Sequence, residues 1–247
     1  MRFKAISASI LLAFAPLGLA VGAAPNPTAM VLAADQIRFP QEGFQVSVKV
    51  ATKVANRDPE FHEYQVLQNG HEKSVVRTVA PPSEAGQVML MRGADLWVFL
   101  PEVLQPVRLP LSQRLTGQVA NGDLARANFA GDYAAIVLRE EILDNKKCVV
   151  LELTAARKGV TYHRVLYWVE KASNRPLKAE FYTLSKRLMK TGLYQDYKDL
   201  GGKIRPTKLV LIDALKKDER SELVYGNLKL RNIPDKFFTK DFLRKLK

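Results

Sequence analysis

Phe44-Gln-Val-Ser-Val-Lys-Val-Ala51 alternates along its whole length. Phe44, Val46, Val48 and Val50 fall on one side and Gln45, Ser47, Lys49 and Ala51 on the other. That is the pattern of a strand with one buried and one wet face. The same period of two returns downstream. Phe61–Gln68 runs into Asn69-Gly70, a tight-hairpin signal, and Lys73–Val79 stops at Pro81-Pro82. Gln87–Arg92 and Leu96–Leu100 flank Gly93-Ala94, and Val107–Leu109 lies between two prolines. Strands are expected again at Ala135–Ile142, Lys147–Ala155, Thr161–Glu170, Leu177–Ser185, Leu188–Tyr197, Thr207–Ala214 and Ser221–Leu230.

Only two helices interrupt this series. Pro27–Arg38 opens with proline where a first helical turn tolerates it, spaces Met30, Val31, Ala34 and Ile37 on one face, and ends before Pro40. Thr239–Lys245 is a short helix near the C-terminus. About eleven strands with tight turns and no strand–helix–strand alternation predict an antiparallel all-β fold. Several late strands are apolar on both faces: Leu209 and Leu211 on one side against Val210 and Ile212 on the other, and Trp168 among Leu166, Tyr167 and Val169. Such strands must be covered on both sides. Either a sheet-on-sheet sandwich or a strongly curved sheet enclosing a cavity would do so.

The N-terminus reads as an export signal. Arg2 and Lys4 precede an uncharged, mostly apolar run that closes on Gly22, Ala23 and Ala24, the charge, apolar core and small-residue order of such a segment. Cleavage after Ala23 would leave a single domain over residues 24–247. Loss of Arg2 and Lys4 takes the formal net charge from +13 to +11. An exported basic protein does not meet chromosomal DNA, so anionic membrane surfaces or an acidic partner are the expected counter-charges, and nucleic acid is not. Cys148 is the only cysteine, which excludes an intrachain disulfide.

Catalytic patterns are missing. His62, His71 and His163 stand apart from one another and from further ligand residues, so neither a metal nor another cofactor is expected. There is no Gly-x-Ser-x-Gly elbow, and the adjacent carboxylates Glu140 and Glu141 would face opposite sides of a strand. The chain reads as a non-enzyme. Its unusual stretch is 112–133, which loses strand alternation and carries Arg114, Asp123, Arg126 and Asp132 among small residues and the apolar anchors Leu115, Val119, Leu124 and Phe129. A segment of this length inside a β protein reads as a lid or plug.

The same residues carry a family resemblance. Trp97-Val-Phe-Leu-Pro101, Val107-Arg-Leu109, Gln113-Arg-Leu-Thr-Gly-Gln-Val-Ala-Asn-Gly-Asp123 and Phe129-Ala-Gly-Asp-Tyr133 resemble the outer-membrane lipoprotein-sorting proteins, the LolA-like family, in a diverged branch. Tyr167-Trp-Val-Glu-Lys171, Lys178-Ala-Glu-Phe-Tyr182, Arg205-Pro206 and Pro234-Asp235 extend the likeness from about Ala33 to Leu246. The resemblance implies a half-closed antiparallel β-barrel of about eleven strands with a helical lid or plug, whose concave side holds acyl chains. It implies a soluble periplasmic carrier of lipid or lipoprotein, or alternatively a lipid-responsive sensor or adaptor. It also implies partners: an inner-membrane exporter of the resistance-nodulation-division (RND) type or an outer-membrane acceptor, with transient contact to a membrane surface. On this reading Val46, Val48, Val50, Trp97, Phe99, Leu166, Trp168, Leu177, Phe181, Leu209 and Leu211 line the cavity. Arg114, Leu115, Val119, Asp123, Leu124, Arg126 and Phe129 form the lid, where Arg114 and Arg126 would meet headgroup phosphates or hold it shut against Asp123 and Asp132.

Overall fold

A computed structural model of the protein describes residues 26–103, 105–126 and 128–244. The expected export signal, residues 1–23, lies outside them. Helix α1 (Pro27–Arg38) forms where its spacing predicts, with the Asn26 side chain accepting from the Ala29 N–H and proline inside the first turn. Strands β1 (Phe44–Lys53), β2 (Glu60–Asn69), β3 (Lys73–Ala80), β4 (Val88–Arg92), β5 (Asp95–Phe99) and β6 (Val107–Leu109) follow as a meander. The chain then leaves the sheet for β7 (Arg114–Thr116), β8 (Val119–Ala120), α2 (Asn121–Ala125) and α3 (Phe129–Asp132). It returns through β9 (Tyr133–Leu143), β10 (Lys146–Ala155), β11 (Arg164–Glu170), β12 (Pro176–Tyr182), β13 (Leu188–Asp199), β14 (Ile204–Asp213) and β15 (Arg220–Leu230). A 3-10 turn (Asp235–Phe238) and α4 (Lys240–Arg244) end the described chain.

Thirteen strands form one antiparallel sheet in the order β6-β5-β4-β3-β2-β1-β15-β14-β13-β12-β11-β10-β9, and β7 pairs with β8 separately. Among the described residues fifteen strands therefore stand where about eleven were expected. The additions include two- and three-residue pieces, too short for alternation to mark them. Neighbouring chain segments pair throughout except at β1–β15, where Val48 faces Tyr225 and Val50 faces Leu223. The edges β6 and β9 do not meet, so the sheet is open. At about 4.8 Å per strand it would be roughly 60 Å wide if flat. Yet Met91 of β4, Leu96 of β5, Val149 and Leu151 of β10, and Leu211 of β14 belong to one core cluster. The sheet must therefore curl around that core.

The turns obey local chemistry. At Asp144-Asn145 both residues have positive φ, 49° and 60°, as a two-residue hairpin between the paired residues Leu143 and Lys146 requires.

The convex side has its own covers. Val75, Leu90, Phe99 and the partly buried Trp97 pack under Phe238 and Leu243 of the C-terminal elements. Farther along, Cys148, Val150, Leu166 and Trp168 form a third cluster. Among the described residues no helix packs on it; the Lys178 ammonium lies 4.2 Å from the Trp168 ring centre, and Trp168 donates to Glu141. Long cationic side chains cover apolar surface here while their charges stay wet. This is how β11 is buried on both faces without a second sheet.

Candidate functional site: a plugged concave face

The eleven residues expected to line one cavity divide between the two faces. Val46, Val48, Val50, Phe181, Leu209 and Leu211 lie in the concave core. Trp97 and Phe99 face the C-terminal cover, and Leu166, Trp168 and Leu177 belong to the third cluster. The reason is strand parity. In β11 it is Val165, Tyr167 and Val169 that enter the concave core, and in β5 it is Leu96 and Val98. Alternation identifies the sets but not which set points inward.

The concave face is filled. From one side comes α1, with Met30, Val31 and Ala34; from the other comes the 111–133 segment, with Leu111, Val119, Leu124, Ala125 and Phe129. About 10 Å³ remains beside Val46, Val66, Leu124 and Tyr225, against the several hundred Å³ of an occupied small-molecule pocket. The segment is thus a plug in this state, and any occupant of the concave face needs it displaced.

Buried polar contacts hold the plug. Arg126 grips Asp132 through Nε and Nη2, donates from Nη1 to the Gly93 carbonyl at 2.6 Å, and reaches Glu72 at 3.3 Å. Burial opposes the Arg126 cation, but the hydrogen bonds and charge of Asp132, with the charge of Glu72, outweigh it and raise its pKa. Asp123 accepts from the Lys190 ammonium at 2.8 Å, from the Tyr162 hydroxyl at 2.7 Å and from the Ala120 N–H at 2.8 Å. Lys190 also donates to the Gln118 carbonyl. Its pKa is lowered, chiefly by burial, with Asp123 acting against the shift. Ser74 donates to the Ala125 carbonyl at 2.7 Å and pins the end of α2 to β3.

Of the expected lid residues, Asp123 and Arg126 thus take opposite-charge partners, but not each other. Asp123 pairs with Lys190, and Arg126 with Asp132. Arg114 is exposed at the rim of a cleft of about 210 Å³ that it shares with Arg187, Met189 and Leu215. Leu115 is half-buried against the core.

Helix and plug are also joined to each other. Asp35 accepts from the Ala130 N–H at 2.8 Å and from Arg38 at 3.3 Å. Burial raises the Asp35 pKa to about 6, partly countered by Arg38. The Arg38 guanidinium stacks 4.7 Å from the Phe129 ring centre. Arg205 donates to the Gln36 and Ile37 carbonyls and so closes the C-terminal end of α1.

Asp35, Lys190 and Tyr162 are site residues that alternation does not single out. A usable signal exists for two of them. Asp35 falls four residues after Val31 on the apolar face of α1, and Lys190 shares strand parity with Gly192 and Tyr194 on the inward side. A charge at a core position needs a partner. Two plug glycines are fixed by space: a Cβ on Gly122 would sit 1.9 Å from Thr161 Oγ1. On Gly117, whose φ is +49°, it would sit 2.3 Å from Thr52 Oγ1.

An open, curled antiparallel sheet with a helix and an ion-paired insert on its concave face defines the class: a half-barrel with a covered interior. A LolA superfamily protein from Nitrosomonas europaea, NE2245, is 51% identical, with 89% of this chain and all of that chain covered and a TM-score of 0.85. The chain belongs to the LolA superfamily. Two other crystal structures share the fold at 20% identity. One is a domain from Vibrio parahaemolyticus ascribed to outer membrane lipoprotein sorting, with a TM-score of 0.73 over 88% of this chain and 98% of that one. The other is a DUF1329 family protein from Desulfovibrio piger, with a TM-score of 0.74 over 87% and 97%. A family model described only as that of an uncharacterized protein matches residues 70–245. No curated protein sequence matches the chain.

Proposed function

We propose that this protein is a periplasmic carrier that binds the acyl chains of a lipid or lipoprotein on its concave face and passes them toward the outer membrane. In this reading residues 1–23 direct export and are removed, and the remaining chain acts as one domain. The observation that carries the proposal is the mismatch between the concave wall and its cover. Val46, Val48, Val50, Phe181, Leu209 and Leu211 offer an apolar wall, while the insert over it is anchored by the Arg126–Asp132 and Asp123–Lys190 ion pairs. Ion pairs can be exchanged for water when the plug leaves; the apolar wall needs an apolar replacement. Each buried methylene contributes about 0.8 kcal/mol, so a long acyl chain can repay the displacement. No covalent step is required. Donor and acceptor would be membrane proteins on either side, such as an inner-membrane exporter of the RND type and an outer-membrane receptor.

The test uses a reversible lock. Cysteines replacing Gly122 and Thr161 would place their Cβ positions 3.0 Å apart, about 0.5 Å short of the separation a disulfide spans, so bridging them asks the plug to back off slightly. The oxidised variant should fail to take up a fluorescent fatty acid, and reduction should restore uptake. Mass spectrometry of lipid extracted from wild-type protein isolated from a periplasm should find bound acyl chains. Empty protein that also ignores the fluorescent fatty acid, locked or reduced, overturns the proposal.

A further inference from the structure

The two ends of the sheet carry different turns. At one end the hairpins turn through Asp144-Asn145, Asn174 and Gly201-Gly202, polar or small residues suited to water and to positive φ. At the other end, two turns each display an isolated leucine. Leu184, between β12 and β13, is 76% exposed, and Leu215, between β14 and β15, is 81% exposed.

These turns are neighbours. Lys190 pairs with Asp213, and the Ala214 N–H donates to the Met189 carbonyl, which sets the start of β13 beside the end of β14. Leu215 and Arg187 line the same cleft, the one rimmed by Arg114 of the plug. A second depression joins Leu215, Lys216 and Lys217 to Val54 and Arg57 of the β1–β2 loop. Three loops and the outer edge of the plug therefore make one surface.

Its charge is mixed but basic. Lys53, Arg57, Arg114, Lys186, Arg187, Lys216, Lys217 and Arg220 supply the cations, against Asp58, Glu60, Asp213, Asp218 and Glu219. Two of the acids have local tasks. Asp213 accepts from the Leu215 and Lys216 N–H groups, and Glu219 takes Lys216 at 2.9 Å. Leu184 is followed by Lys186 and Arg187, and Leu215 by Lys216 and Lys217, so each exposed leucine stands beside two cations.

From this juxtaposition we propose that the Leu184 and Leu215 turns dock the protein on an anionic phospholipid bilayer, the leucines entering the headgroup–acyl boundary and the flanking cations meeting lipid phosphates. An apolar side chain that projects alone into water gains by entering that boundary, and nearby Lys and Arg gain from the negative surface potential. Docking in this pose faces the plug's rim toward the bilayer. The inference adds a membrane address to the carrier reading and takes its biological setting from it, whereas the physics of adsorption stands apart from any cargo.

Vesicle co-sedimentation of the signal-free protein tests it, comparing phosphatidylglycerol–phosphatidylcholine vesicles with pure phosphatidylcholine. Wild type should bind the anionic vesicles and lose them at high salt. Leu184→Asp with Leu215→Asp, both at exposed sites, should lower partition about tenfold or more. Lys216→Glu with Lys217→Glu should do the same through charge. Lys171→Glu with Lys203→Glu, at the opposite end, should leave it near wild type. A Leu215→Trp variant should show a blue-shifted emission on anionic vesicles only. The proposal fails if wild type does not bind them, if the double aspartate variant binds as well as wild type, or if the opposite-end charges matter equally. Uptake of a soluble fluorescent fatty acid should be unchanged in the turn variants, so loss of docking and loss of cargo binding are separate results.

Discussion

The sheet has two covers of opposite chemistry. On the convex side the C-terminal elements bury Phe238 and Leu243 against Val75, Leu90 and Phe99, a contact made of apolar surface. On the concave side the plug buries apolar residues too, but Arg126, Asp132, Asp123, Lys190 and Asp35 lie among them. An apolar cover loses contacts with no compensation when it lifts. An ion-paired cover regains hydration of its charges, and the desolvation cost that weakened it when closed is returned on opening. The difference suits the first to architecture and, on the carrier reading proposed above, the second to a moving part.

Breaking the apolar cover should have the largest effect on stability. Phe238 is fully buried, and Phe238→Ala should cost about 3–5 kcal/mol in urea unfolding. Because this cover packs on the opposite face of β3 and β4 from the plug, fatty-acid uptake per folded molecule should stay the same. A comparable change in uptake would mean that the covers are coupled.

The plug's main latch gives the opposite pattern. Asp132→Ala leaves Arg126 buried without its two-pronged partner, and about 3 kcal/mol of destabilisation is expected. This is the low end of the range for a broken buried pair, since Glu72 and the Gly93 carbonyl remain in reach. Here uptake should speed up, and limited proteolysis should begin within 110–133. Slower uptake or unaltered cleavage would remove the latch role.

Most of the architecture could be read from the residues. Alternation places β1, β2, β3 and β10 to within a residue or two, the Asp-Asn turn falls where expected, α1 matches its spacing, and the Asn69-Gly70 hairpin is one residue longer than its signal because Asn69 stays in β2, paired with Lys73. Inward direction was not legible, because β5, β11 and β14 are apolar on both sides. What decides parity is the cover each face meets, and that comes from distant chain: α1 and the plug inside, α4 and strand-borne lysines outside. The plug was visible as a break in alternation, and Arg126 meets Asp132 as one expected alternative had it, but the Lys190 partner of Asp123 was not visible. Asp123 and Arg126 are neighbours in sequence, yet one reaches Lys190 and the other Asp132, choices made by the fold rather than by local spacing.

Proton uptake should sharpen the contrast. Asp35 has its pKa raised from 3.8 to about 6, chiefly by burial. A group raised in the folded state stabilises fully below its unfolded value and loses that contribution as pH rises through its folded value. Asp35 therefore favours folding at pH 4 relative to pH 7 by roughly 2 kcal/mol. Arg38, the Ala130 and Phe129 backbones and Asp132 face it and are included in that shift. His71, whose pKa is lowered mainly by burial, works in the other direction as pH falls below about 6.5. Asp35→Asn retains His71, so the difference in urea midpoint between wild type and variant isolates Asp35. That difference should change in favour of wild type between pH 7 and about 4.5. A constant difference would show that this carboxyl is solvated and that α1 and the plug are not joined through a dry contact.

The smallest effect belongs to the convex rim. The Lys240 ammonium lies 3.9 Å from the centre of the Trp97 ring, an attraction of about 0.5–1 kcal/mol at a partly exposed site. Lys240→Ala should lower stability by that much, with Lys240→Arg recovering it. Neither should alter fatty-acid uptake, because a cation at the edge of an apolar cover strengthens the seal without providing a way to open it. If Lys240→Ala changed uptake as Asp132→Ala is expected to, charge alone would not distinguish the moving cover from the fixed one. The distinction would then rest on where the charge sits: beneath the cover, where opening rehydrates it, or at its rim, where it is already wet.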